Sequence, residues 1–167
     1  MTIQVTAHRG SRKHAEHIDE IADAARQLVT RKVGPVGHVE LMVTTTAGLL
    51  DLATRSERRV VGGRARGNGS RDPAGCGRTV LAPSGVLLLV NSDAHFRAAQ
   101  LEVTVVHELV HAAQFARPGR RAELLAGLRH NYRIEDLSED AVRAANARRV
   151  RDESEARQHE RLARKLR

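Results

Sequence analysis

The stretch from Ala94 to Ala116 constrains the fold more than any other part of the chain. It contains neither proline nor glycine, and its apolar residues recur at helical spacing on more than one side. We therefore predict a long, largely buried helix, with Ser92 or Asp93 capping its start and Pro118-Gly119 ending it. The apolar positions are Leu101, Val105, Leu109 and Ala112 in one row, and Val106, Val110 and Ala113 in another.

The middle of this helix carries His107-Glu108-Leu109-Val110-His111. Residues four apart lie on the same helix face, one turn apart, so the two imidazoles can bind one Zn²⁺ ion. Glu108 then lies beside the metal, where its carboxylate can take a proton from a zinc-bound water. The pattern predicts a metal-dependent hydrolase. Because the chain has 9 His, the alternative is two ordinary helix-face histidines without a metal.

The residues around the motif make this part of the chain resemble the extended signature of the zincin metallopeptidases. That signature has Val or Thr three residues before the first His, uncharged flanks and an apolar end, which Thr104, Val105 and Ala113 fit. The resemblance implies an α+β, zincin-like domain with an N-terminal helix, a short mixed sheet, the motif helix and a C-terminal helix carrying the third ligand. It also implies a zinc peptidase that hydrolyses a peptide or protein substrate, with Glu108 as general base.

A catalytic zinc usually has three protein ligands, so a third residue must join the two histidines. Metzincins place a Gly and a His where this chain has Gln114 and Arg117, which excludes that subclass. Small gluzincin-like proteins take a Glu from a later helix, and the segment around Glu153 and Glu155 resembles theirs. The spacing to Ala156 favours Glu153, and the alternative is that both are surface carboxylates. Weaker candidates are Glu135, Glu160, His130 and His159.

Neither glutamate is followed by the Asp that often orients a zinc ligand in such families. A donor to the substrate oxyanion normally comes from Tyr, His or Arg. Tyr132 and His130, between the later helices, are the candidates for this role, and a core or surface role is the alternative for each.

The remaining elements are expected to complete a single domain over residues 1–167. Apolar periodicity predicts an amphipathic helix and two strands, whereas Leu49–Ser56 fits either a helix or a strand. In zincins the strand before the motif helix often forms the substrate-binding edge, and the order of elements allows this for Val86–Val90. The predicted elements are helices at Ser11–Lys32, Arg121–His130 and from Glu139 onwards, capped by Ser138, and strands at Val39–Thr44 and Val86–Val90.

Several further segments and residues are assigned no catalytic or metal-binding role. Residues 62–77, rich in Gly and Arg, are expected to be a flexible surface loop, either a substrate lid or an unstructured insertion. Residues 161–167 are expected to be a solvated basic tail. The single cysteine, Cys76, has no pattern of a nearby base, so we expect an incidental thiol. His8, His14 and His17 are expected to be solvated, because no carboxylate shares their helix face.

The formal net charge of +8 raises nucleic-acid binding as an alternative function. Only 2% of the residues are aromatic and no recognised DNA-binding motif is present, which argues against it. A zincin-like protein that binds zinc without cutting a substrate, as a sensor or regulatory partner, is the other alternative. There is no signal-peptide core and no apolar run of ~20 residues, so we expect a cytoplasmic protein without a membrane span.

Overall fold

The computed structural model describes residues 3–63 and 75–166. It is an α+β fold with a four-stranded mixed sheet, so the predicted class is confirmed at that level. The strands are β1 (Gln4–His8), β2 (Val39–Thr44), β3 (Gly77–Ala82) and β4 (Gly85–Asn91). The helices are α1 (Arg12–Lys32), α2 (Thr46–Val61), α3 (Ala98–Phe115), α4 (Arg120–Asn131) and α5 (Glu139–His159). Short 3-10 helices follow β4 at Ser92–Ala94 and α5 at Glu160–Lys165.

The strands lie in the order β1-β2-β4-β3, with β1, β2 and β4 parallel and β3 antiparallel to β4. From Val86 onwards β4 is buried, as its continuous apolar run predicted. However, β4 is internal, so the expectation that it forms the substrate-binding edge is wrong. The strand at the edge of the sheet beside β4 is β3, which the sequence analysis did not predict as a strand.

Helices cover both faces of the sheet. On one face, α1 and α3 share the larger apolar core with Leu41, Val43, Leu88 and Val90. The predicted apolar stripe of α1 is buried there, and Ser11 caps its start by accepting a hydrogen bond from the His14 amide at 3.3 Å. On the other face, α2 packs against Leu87 and Leu89. The segment Leu49–Ser56, which fitted either a helix or a strand, therefore lies within a helix.

The start of the motif helix differs from the prediction. Helix α3 begins at Ala98, and Arg97 precedes it without a side-chain cap. Ser92 and Asp93 do not cap α3, because their side chains bind the end of β2 and the start of α2. Ser92 donates to the Thr44 carbonyl at 3.0 Å, and Asp93 accepts from the Thr46 amide at 2.9 Å. These contacts fix the turn from which α3 starts.

The apolar residues of the C-terminal helix are less buried than the sequence suggested. Ser138 caps α5 as predicted, accepting from the Ala141 amide at 3.3 Å. Of the apolar side expected for α5, only Ala156 is buried, and Val150 is 67% exposed. The prediction of a solvated tail is wrong in part. Leu162 and Ala163 are buried in the larger core, whereas Arg161 and Arg164 are exposed.

The predicted loop at residues 62–77 lies largely outside the described residues, and Gly77 belongs to β3. Cys76 is exposed beside it. Within the part of the chain that the structure describes, no helix is both long enough and apolar enough to cross a membrane.

Candidate metal centre

The two motif histidines lie side by side on α3. Their helical spacing brings the Nε2 atoms of His107 and His111 to 3.1 Å from each other. The two side chains are 15% and 16% exposed, so the pair is largely buried but still reaches the surface. This is the geometry that the sequence motif predicted.

Helix α5 brings a carboxylate to the same point. Glu153 Oε2 lies 3.3 Å from His111 Nε2 and 3.6 Å from His107 Nε2. Among the described residues, His107, His111 and Glu153 form the group of possible metal ligands, with one ligand atom of each within 4.8 Å of the others. The preference for Glu153 over Glu155 thus agrees with the geometry.

Hydrogen bonds on the far side of each ring fix the orientation of the imidazoles. His107 Nδ1 is 2.8 Å from Glu160 Oε1, and a carboxylate can only accept there. His111 Nδ1 is 2.7 Å from Gln114 Oε1. The Gln114 amide nitrogen donates to the Asp152 carbonyl at 2.8 Å, which confirms that the Gln114 oxygen faces the ring. Both Nδ1 atoms therefore carry the proton in the neutral rings.

This arrangement leaves three acceptor atoms pointing at one another. A neutral ring protonated at Nδ1 has a bare lone pair at Nε2, and the nearby Glu153 oxygen is also an acceptor. The short Nε2 to Nε2 distance is therefore not a hydrogen bond between neutral rings. A metal cation bound between these atoms would relieve the repulsion. The donor set of two imidazoles and a carboxylate is one that holds a divalent metal ion.

Glu155 has a different task from Glu153. It accepts hydrogen bonds from Gln114 Nε2 at 2.9 Å and from Arg117 at 2.6 Å. The hydrogen bond from Arg117 is the largest influence on the pKa of Glu155, and together with the one from Gln114 it lowers that pKa. Glu155 therefore holds Gln114, which in turn holds His111, and it faces away from the group of ligand atoms.

The charge state of Glu153 suits a ligand. Partial burial, the largest influence, raises the pKa of Glu153, but Arg157 and the two imidazoles in their protonated form outweigh that effect, and the pKa is lowered overall. Arg157 also donates to its second oxygen at 3.1 Å. One carboxylate oxygen is thus held from α5, and the other is left for the ligand group.

Glu108 is buried next to this group, with 5% of its surface exposed. Burial raises its pKa to about 7, against the opposing influence of His111. Its carboxylate accepts a hydrogen bond from the Thr79 hydroxyl at 2.8 Å. Gly77 makes room for it, because a Cβ atom at this position would lie 2.9 Å from Glu108 Oε1. A proton acceptor of near-neutral pKa therefore lies beside the candidate metal ligands.

The two candidates for oxyanion stabilisation both make hydrogen bonds within the protein. Tyr132 is fully buried, and its hydroxyl donates to Glu57 Oε2 at 3.0 Å. His130 Nδ1 accepts from the Leu137 amide at 3.2 Å, which closes the turn after α4. Assigning Tyr132 to the oxyanion is therefore wrong, because its buried hydroxyl already donates to Glu57. The contact of His130 uses Nδ1 and leaves Nε2, the donor that the role requires, outside this hydrogen bond, so its assignment stays a prediction.

The weaker candidates for the third ligand also lie elsewhere. Glu160 contacts the outer nitrogen of His107, and Glu135 pairs with Arg129 at 2.8 Å. The N-terminal histidines do not join the group of ligand atoms. One of them, His17, lies 3.4 Å from the buried Glu102 of α3, so its expected solvation is incomplete.

Sequence reasoning missed the residues that support the site. Glu160 was considered only as a ligand, and Gln114 only as a departure from another subclass. Gln114 follows His111 by three residues, a spacing that places it on the same helix face and could have suggested the contact. Thr79 and Gly77 carry no local signal, because their role depends on how β3 pairs with β4.

Comparisons with family models, with curated proteins and with solved structures gave no match to this chain.

Proposed function

We propose that this protein is a zinc-dependent peptidase in which His107, His111 and Glu153 bind the metal and Glu108 is the general base. The observation that carries the proposal is the convergence of three acceptor atoms beside a buried carboxyl group. A structural metal site needs a fourth protein ligand, and an adjacent base would serve no purpose in it. An open position beside a base is what hydrolysis requires.

The size of the ligand group supports zinc. Nitrogen and oxygen ligands at about 2.0–2.1 Å around a tetrahedral Zn²⁺ lie about 3.3 Å from one another. The three distances here are 3.1 Å, 3.3 Å and 3.6 Å. Calcium prefers six to eight oxygen ligands at about 2.3–2.6 Å, which two imidazoles do not supply. When bound, zinc would lower the pKa of a water molecule and polarise the substrate carbonyl.

The chain's own residues supply the proton transfer. Glu108 would accept a proton from the attacking water and pass it to the nitrogen of the leaving amine. Glu160 and Gln114 would keep the imidazole Nε2 atoms aimed at the metal by accepting the Nδ1 protons. Each of these groups is already in place before a substrate binds.

Among the described residues, no strand pairs with the outer side of β3, which supports a peptide as the substrate. The Asn91 amide donates to the Cys76 carbonyl at 2.9 Å, and hydrogen-bonded pairs alternate along an antiparallel ladder. The backbone groups of Gly77 and Thr79 therefore point away from β4, next to the Glu108 carboxylate. An extended peptide could add to this edge by backbone hydrogen bonds. Further along, Ser56 already donates to the Leu81 carbonyl at 2.8 Å, which would limit the length of that contact.

Replacing Glu108 by glutamine tests the proposal. Glu108→Gln should bind zinc as the wild type does and lower the hydrolysis of labelled casein by about 10²–10⁴-fold, the usual contribution of a general base. Zinc content would be measured by elemental analysis of both proteins, and His111→Ala serves as the control that loses the metal. A wild-type protein without stoichiometric zinc, or one that cuts neither casein nor a mixed peptide library when loaded, would overturn the proposal.

A further inference from the structure

The hydroxyl of Thr79 is the direct contact between the edge strand and the proposed base. Thr79 Oγ1 lies 2.8 Å from Glu108 Oε2 and 3.0 Å from the Glu108 backbone carbonyl. Side chains alternate along β3, so Gly77 and Thr79 both face α3. Gly77 leaves the space that Glu108 occupies, and Thr79 holds one of its oxygens.

A buried ion pair fixes this part of β3. Arg78, between Gly77 and Thr79, lies 3.6 Å from Glu57 of α2, and their side chains are 15% and 5% exposed. Tyr132 donates to the same carboxylate from the end of α4. Removing charges from water is costly, so the pair persists only with fixed geometry and further hydrogen bonds. These contacts tie the start of β3 to two helices and thereby restrict where the Thr79 hydroxyl can lie.

The two acceptors of Thr79 both belong to Glu108. When the carboxylate is ionised, the Thr79 hydroxyl can donate its proton to Oε2. When Glu108 has taken a proton from water, Oε2 can become the donor, and the Thr79 hydroxyl can turn to the backbone carbonyl. One hydroxyl can thus satisfy Glu108 before and after the proton moves on to the leaving amine.

We infer that Thr79 is a positioning residue for Glu108, holding its carboxylate in place through both halves of the proton transfer. The inference rests on the proposed peptidase function. It requires a hydroxyl at residue 79, whereas a purely structural role would require only a side chain of similar volume. Valine and serine separate these requirements, because valine keeps the volume and serine keeps the hydroxyl.

The test compares Thr79→Val and Thr79→Ser with the wild type, all loaded with zinc, on labelled casein. A hydrogen bond to a charged group is worth about 10- to 100-fold in rate, so Thr79→Val should lower kcat by that factor with little change in KM. Zinc affinity should stay at the wild-type value, and Thr79→Ser should recover most of the loss. Thr6→Val on β1 is the matched control and should leave kcat unchanged.

A double-mutant cycle adds a readout that does not depend on turnover. Thr79→Val and Glu108→Ala, alone and together, should show coupling of about tenfold or more in the unfolding equilibrium constant. Wild-type kcat in Thr79→Val, equal losses in the valine and serine variants, or no coupling would each overturn the inference while leaving the proposed function intact. A zinc-loaded wild type that cuts nothing would overturn both.

Discussion

Exchanging Glu153 for glutamine tests the metal centre sharply, because the chain supplies a matched control two residues away. Glu153→Gln and Glu155→Gln each remove one negative charge from α5 and keep the shape of the side chain. In the structure, Glu153 Oε2 lies 3.3 Å from His111 Nε2, whereas Glu155 accepts hydrogen bonds from Gln114 and Arg117. The first exchange removes the proposed ligand, and the second weakens the hydrogen bonds that hold Gln114.

The expected difference follows from these contacts. Four-ligand zinc sites bind with about 10–16 kcal/mol, so one ligand contributes about 2.5–4 kcal/mol, or roughly 10²–10³-fold in affinity. Glu155→Gln should cost less than about tenfold, the lower end of effects from residues that orient a ligand. Gln114 keeps its other acceptor, the Asp152 carbonyl at 2.8 Å, and can still hold His111.

Zinc affinity would be measured by competition with a fluorescent chelator at one fixed pH, because the ligands must be deprotonated to bind. Far-ultraviolet circular dichroism of the two variants would show whether α5 remains folded. Equal affinities for the two variants, or a greater loss in Glu155→Gln, would refute the assignment of Glu153 as the ligand.

Two further predictions concern stability. Arg133, just after α4, has φ 55°, a left-handed backbone conformation that is unfavourable for a residue with a Cβ atom. Its neighbour Ile134 donates to the Arg129 carbonyl at 2.8 Å, as in helix ends that usually carry glycine at this position. Arg133→Gly should therefore stabilise the protein by about 1 kcal/mol, measured by urea unfolding. Burial, the largest influence, raises the pKa of Glu57 above its ordinary 4.5 despite Arg78. The folded state thus binds this proton more tightly, and the stability it contributes is complete below pH 4.5 and lost as pH rises through the folded-state pKa.

Each of these predictions has its own control. Arg149→Gly, within α5, should destabilise by about 1 kcal/mol, since glycine is unfavourable inside a helix. Equal effects of glycine at residues 133 and 149 would contradict the first argument. For the second, urea unfolding of wild type and Glu57→Gln from pH 4 to 8 should show the wild type losing stability relative to the variant as pH rises. A difference that stays constant over this range would contradict it.

The candidate site could be predicted from sequence where its residues belong to one helix. The spacing of His107 and His111 determines their geometry once α3 forms, and the apolar rows around them are strong evidence for that helix. The third ligand could be narrowed to two residues, Glu153 and Glu155, only by resemblance to a known family. The choice depends on the rotation of α5 against α3, which tertiary packing around Ala156 sets.

The supporting residues could not be predicted because they come from pairing between distant segments. Thr79 reaches Glu108 only because β3 adds to the outer side of β4, and a mixed sheet order leaves no periodic signal in a single strand. The misplaced start of α3 has a similar cause. Ser92 and Asp93 have the chemistry of helix caps, but the ends of β2 and α2 bind their side chains instead.

The separation along the chain between His107 and its orienting partner Glu160 has a consequence for biosynthesis. The motif helix leaves the ribosome well before the segment that carries Glu153, Glu160 and the buried Leu162. Chains are made from the N-terminus at about 5–20 residues per second, and the early elements can fold first. A nascent chain therefore holds two histidines without their carboxylate partners until synthesis has passed residue 160. The proposed hydrolytic centre is therefore completed only after all four described strands of the sheet have been synthesised.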